Sequence, residues 1–325
     1  MPEDSLGFHG LGAQFDQLVD RHRLDARLRR METPDRLQPC VNAHFLYPAF
    51  QGRATSMQAL ARMLSSEITR FCATRQERRA ARRADAVVGE LETGAVERMA
   101  DEARRLFMRA RGNAARSGEG GELLLYALIE HFLGAPLIVS KMRLKTSPEM
   151  PVHGADGLHA AWCRESNALI LYFGESKMHQ DFAGAMREAA ESIAGIAANA
   201  NDRLDQELRL ITAFHDLDSF PAEGVEHLLR FLDPFASDEA NYRIDRFAVL
   251  VGFDYHAYNK LATVPLKEVE AIFLEHYATV VDQKIRTARH HLQQHHIELE
   301  RVDLFLFPVP SVEEFRQCFE DVIHG

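Results

Sequence analysis

The sequence predicts a mixed α/β fold, and three features predict it. Strand-length apolar runs such as "NALILYFGESK" and "YRIDRFAVLVGFD" sit between long stretches of helical periodicity. The order after Gly121 runs helix, strand, strand, strand, helix, then further helices and strands. At 46% hydrophobic and 26% charged residues, the composition is that of an ordinary soluble globular protein. A chain of 325 residues allows one large domain or two ordinary ones.

The elements follow in order. Residues 1–36 are polar and mixed. "CVNAHFLYPAF" (Cys40 to Phe50) reads as a short strand. A helix over "TSMQALARMLSSEITRFCATR" follows, with Thr55 or Ser56 as its N-cap. The arginine-rich "RQERRAARR" (Arg75 to Arg83) leads into a helical pattern at "AVERMADEARRLFMRAR". "GNAARSGEGG" (Gly112 to Gly121) is the strongest break and divides the chain into an α-rich region, 1–115, and a second domain, 116–325.

Beyond that break, "ELLLYALIEHFLG" reads as a buried helix ended by Gly134. "APLIVSKMRLKTS" reads as a strand with Lys141, Arg143 and Lys145 on one face, able to meet a phosphate backbone or simply solvent. "PEMPVHGADG" is a turn, "LHAAWC" a return strand and "NALILYFGESK" the next strand. Helices are expected over "DFAGAMREAAESIAGIAANA", Asp202 to Thr212 and Ala222 to Leu232. "YRIDRFAVLVGFD" and "IELERVDLFLFPVP" are late strands around a long helix that ends in "RHHLQQHH". "SVEEFRQCFEDVI" closes the chain as a helix capped by Ser311.

Composition narrows the function. No run approaches membrane-span length, and "MPEDSLGFHG" lacks the basic-then-apolar order of a secretion signal. Cys40, Cys72, Cys163 and Cys318 are far apart and form no CxxC, which fits a reducing cytoplasm rather than disulfides or structural zinc. The net charge of -10 argues against an all-over nucleic-acid coat. The arginine run is then either a solvated helix face or a local surface for nucleic acid or a partner. The sequence contains no GxxxxGK[ST] phosphate loop, so the chain is not its own NTP-driven motor. His290, His291, His295 and His296 share a helical face at spacing that can bind zinc, but without an HExxH glutamate.

Four residues suit phosphodiester hydrolysis. Glu122 opens the helix after the glycine break, Asp156 lies in "HGADGLH", and Glu175 and Lys177 lie in "GESK". Alternate strand residues share a face, so Glu175 and Lys177 point the same way as Leu169, Leu171 and Phe173. Carboxylates can hold a hard divalent cation such as Mg²⁺. A neighbouring lysine can orient or activate water and offset phosphate charge. Glu122 shares helical spacing with Leu125, Tyr126, Ile129 and Leu133, a stripe expected to bring it toward the other carboxylates. Glu119 is the alternative helix carboxylate. On its strand, His159 points away from Asp156 and reads as structural.

The order Glu, Asp, Glu-x-Lys on a helix–hairpin–strand–helix frame resembles the PD-(D/E)XK nuclease superfamily. The segments "GEGGELLLYALIEHFLGAPLIVSKMRLKTSPEMPVHGADGLH" and "LYFGESKMHQDFAGAMREAAESI" more closely resemble the HamA family, nuclease subunits of the Hachiman anti-phage defence system. The resemblance implies a restriction-endonuclease-like core, with a mixed sheet flanked by helices and an N-terminal helical elaboration. It implies Mg²⁺, with Mn²⁺ able to substitute, held by Asp156, Glu175 and Glu122, with Lys177 assisting catalysis. Ala155 stands where the motif has proline. It further implies DNA as substrate, cut with little sequence preference, and a HamB-like superfamily 2 helicase as controlling partner. An RNase on the same frame, or a non-catalytic subunit that binds DNA or docks a helicase, are the alternative readings.

Overall fold

Strand β8 (Arg243–Asp254) shows how the molecule is layered. Phe247, Val249, Val251 and Phe253 point to one side, while Ala248 and Leu250 point to the other, and all are buried. A strand apolar on both faces belongs in the middle of a sheet covered twice. The structure, a computed structural model, describes residues 5–33, 41–110, 118–140, 155–198 and 243–324.

Seven strands form one mixed sheet in the order β1-β2-β9-β8-β7-β6-β5. β2 (Asn42–Pro48), β9 (Val302–Val309), β8 and β7 (Ala168–His179) run parallel to one another. β1 (Leu28–Met31) pairs antiparallel with β2. β6 (Gly157–Cys163) pairs antiparallel with β7, and β5 (Leu137–Ser140) antiparallel with β6. A small hairpin, β3 (Phe50–Gln51) and β4 (Ala54–Thr55), stands apart.

Helices cover both faces. One apolar layer unites α1 (Ser5–Leu18), α6 (Phe182–Ala198) and α7 (Val269–Gln294) with the Phe247 side of the sheet. The other unites α2 (Met57–Cys72), α4 (Gly94–Ala110), α5 (Glu119–Leu128) and α8 (Val312–His324) with the Ala248 side. α3 (Arg75–Val88), the arginine run, packs outside this layer against α4. No described helix is long and apolar enough to cross a membrane.

The expected α/β class holds, with a mixed seven-stranded sheet flanked by helices. Ser311 caps α8 through Glu314 N–H to Oγ at 3.3 Å. Gly134 ends the helix that follows the break with φ +61, in the left-handed region that favours glycine. Three points differ. β1 is not anticipated by the sequence, because "LRRM" buries only its two ends. β1 and β2 lie within residues 1–115 yet join the same sheet as the later strands, through β2 and β9. Third, α5 starts at Glu119, so Gly120 and Gly121 lie inside the helix rather than in the break. The helices expected at Asp202 to Thr212 and Ala222 to Leu232 fall outside the described residues.

Candidate active site

The β6–β7 register builds the site. Gly157 pairs with Gly174 and Leu158 with Phe173, and Asp156, just before β6, lies against the Gly174–Ser176 stretch of β7. Two bonds hold Asp156 there. Its N–H donates to the Gly174 carbonyl at 2.8 Å, and its Oδ2 accepts from the Ser176 N–H at 2.9 Å. The carboxylate therefore takes over one rung of the ladder and is fixed beside Glu175.

Lys177 is two residues along β7 on the same face, and its Nζ lies 2.7 Å from Glu175 Oε1. Asp156 and Glu175 are buried at 7% and 4% exposure, while the Lys177 side chain reaches solvent. Two carboxylates and one ammonium thus meet at the end of an apolar row, where the strand leaves the core. Closer to solvent, His179 Nε2 lies 3.2 Å from Glu188 Oε2 on α6.

α5 lies against the other face of β7. A Cβ on Gly121 would sit 2.5 Å from Ser176 Oγ and 2.9 Å from Met178 Cγ, and one on Gly174 would touch Leu125 and Ile129. Glycine at position 121 lets the helix approach the strand this closely. All of α5 is buried, so Glu119 and Glu122 occupy a fully enclosed helix rather than the rim of an apolar stripe. Among the described residues, no group of three or more His, Cys, Asp or Glu side chains is placed to hold a metal ion. The structure therefore holds Asp156 and Lys177 beside Glu175, and Glu122 lies on the buried helix α5 that packs on β7.

The donor set suits a hard divalent cation. It is oxygen-only and buried beside a single lysine, and two protein carboxylates match an ion that keeps several waters. Lys141, Arg143, Lys145 and His153 lie outside the described residues. His159 is structural, as its strand position implies. Its Nδ1 is 2.8 Å from the Ala135 carbonyl, and burial pushes its pKa down to about 3. Cys72, Cys163 and Cys318 carry free thiols.

Sequence reasoning missed a buried polar cluster behind α5. His22 lies 3.1 Å from Glu67 through Nδ1 and 3.1 Å from Glu130 through Nε2. Burial works against a charged ring, but the bonds to Glu130 and Glu67 outweigh it and raise the pKa to about 9. Arg75, the first residue of the arginine run, is also buried. It donates to the Leu137 and Leu18 carbonyls at 2.9 and 2.7 Å and lies 3.7 Å from Glu130. No local signal marks this cluster, because its members are up to 108 residues apart.

A family model described as HamA matches residues 24–323 of the chain. No curated protein and no solved structure gives a significant match.

Proposed function

From a chain that belongs to the HamA family, and so stands in the context of Hachiman anti-phage defence, we propose a metal-dependent nuclease that cuts DNA with little sequence preference. The observation that carries this reading is that Asp156 is bonded to Gly174 and Ser176, the residues on either side of Glu175, while Lys177 lies 2.7 Å from Glu175 on the same strand face. Asp156 and Glu175 would hold Mg²⁺ or Mn²⁺, with Glu122 as a proposed supporting carboxylate. When bound, such a cation polarises a phosphoryl oxygen and lowers the pKa of a water.

The chain's own residues do the rest. The Ser176 N–H fixes the Asp156 carboxylate, so the site is organised before substrate arrives. Lys177 carries its charge from a buried carboxylate out to solvent, where it can meet a scissile phosphate and orient an attacking water. Nothing in the site resembles a base-reading module, which supports low sequence preference. The family context supports control by a HamB-like superfamily 2 helicase.

The test is cleavage of plasmid and linear DNA, and of RNA, with Mg²⁺ or Mn²⁺ against EDTA. Glu175→Ala and Lys177→Ala are each expected to lower the rate at least about 10²-fold. If wild type is silent even with the helicase and ATP, the nuclease reading falls and a binding subunit remains.

A further inference from the structure

An arginine-lined cleft opens between α2, α3 and α4, on the sheet side opposite Glu175. Its volume is about 440 Å³, and Arg21, Arg23, Arg70, Arg78 and Arg82 line it. Five guanidinium groups in one cleft of a chain with net charge -10 are a local concentration that composition does not explain.

Part of this charge is held in place and part is available. Arg70 pairs with Glu67 at 2.8 Å, and Arg78 lies 3.2 Å from Asp20. The Arg78 Nε is buried without a hydrogen-bond partner among the described residues. Arg21, Arg23 and Arg82 are exposed and make no ion pair among the described residues. Two guanidiniums are thus fixed by carboxylates, and three stand around them with their charge unspent.

We propose that this cleft binds the sugar-phosphate backbone of a nucleic acid, separately from the Asp156–Glu175–Lys177 site. Guanidinium forks match phosphate oxygens bidentately. The positive track runs on past the cleft, because Arg79 and Arg83 are exposed on the same helix. A track longer than the cleft suits a polymer better than a single small anion. None of the lining residues is aromatic, and the apolar ones are Met63, Val96 and Met99. A free nucleotide would find no ring to stack its base, whereas a backbone needs none. Such a contact is sequence-independent and adds to the charge that holds DNA on the protein.

The proposal concerns binding alone, so its test runs in EDTA, where cleavage plays no part. The full chain is titrated with fluorescent single- and double-stranded 20-mers between 50 and 200 mM salt. The triple variant Arg21→Glu, Arg23→Glu, Arg82→Glu changes only exposed residues, and its melting temperature checks that it folds. Its affinity is expected to fall tenfold or more at 50 mM salt. Its salt slope on duplex is expected to drop by about 2 to 3, at about 0.9 for each phosphate no longer neutralised. Three results overturn the proposal. One is an unchanged affinity and slope in the arginine variant. Another is no oligonucleotide binding by wild type, which leaves the cleft to a protein partner. The third is displacement of the oligonucleotide by ADP at micromolar concentration, which makes the cleft a mononucleotide site.

Discussion

Raising the pH should unfasten the protein at His22. The imidazole lies 3.1 Å from each of two carboxylates, and its side chain is fully buried. Its folded pKa of about 9 stands above the ordinary 6.5. A group whose folded pKa is raised stabilises fully below the unfolded value and loses that stabilisation as pH climbs through the folded one. The His22 contribution is therefore complete below about pH 6.5, declines from there, and is gone above about pH 9. At about 1.4 kcal/mol per tenfold change in proton affinity, the interval from 6.5 to 9 is worth about 3 kcal/mol. Urea unfolding at pH 6, 7.5 and 9 measures it. Other groups titrate in this range, so the informative quantity is the difference from His22→Gln. That variant is expected to lose about 3 to 5 kcal/mol at pH 6, because Glu67 and Glu130 are left facing each other, and to show a flatter pH dependence. If it is too unstable to purify, Glu67→Gln keeps Glu130 as the partner and should shift the decline to lower pH. A wild-type protein whose stability falls no more steeply than His22→Gln between pH 6 and 9 would refute the reasoning.

Two further substitutions probe single contacts. Gly121→Ala places a methyl group 2.5 Å from Ser176 Oγ, and the overpacking should cost about 1 to 3 kcal/mol. Because the Ser176 N–H also holds Asp156, cleavage should fall further than the lowered melting temperature explains; equal losses would uncouple α5 from the site. Asp85 accepts from the Ala95 and Val96 N–H groups at 2.7 and 3.0 Å, closing the first turn of α4. Asp85→Ala should therefore cost about 1 to 2 kcal/mol in urea unfolding, and no change would show that the cap is replaced by water.

Much of this molecule is legible locally. Strands β7, β8 and β9 announce themselves by apolar runs, and Ser311 and Gly134 by their chemistry at helix ends. What failed to show was set by distant packing. Gly120 and Gly121 look like a break because glycine weakens helices. Here they are helical because Phe315 and Phe319 press on one, and Ser176 and Met178 on the other, leaving no room for a Cβ on Gly121. β1 carries two exposed arginines and gains its place only by pairing with β2. At the site, "ADG" and "GESK" are weak motifs taken singly. The register of β6 on β7 turns them into one constellation, and no periodicity in either strand states that register. The same limit hid His22, which meets its partners across 45 and 108 residues.

The site therefore depends on what fixes that register. A slip of one residue would turn the β6 side chains to the opposite face and break the bonds of Asp156 to Gly174 and Ser176 beside Glu175. Two devices could prevent it: the turn Arg164–Asn167, where Asn167 holds a left-handed φ of 50, or the facing pairs Leu158 with Phe173, Ala160 with Leu171 and Trp162 with Leu169. The pairs are mostly buried and continuous with the core, whereas the turn is exposed. The pairs should dominate. Asn167→Val forces a β-branched residue into left-handed backbone, at a cost of about 1 to 2 kcal/mol. It should lower the melting temperature and leave cleavage well below that temperature unchanged. Loss of cleavage in a folded Asn167→Val protein would place the register, and with it the approach of Asp156 to Glu175, in the turn.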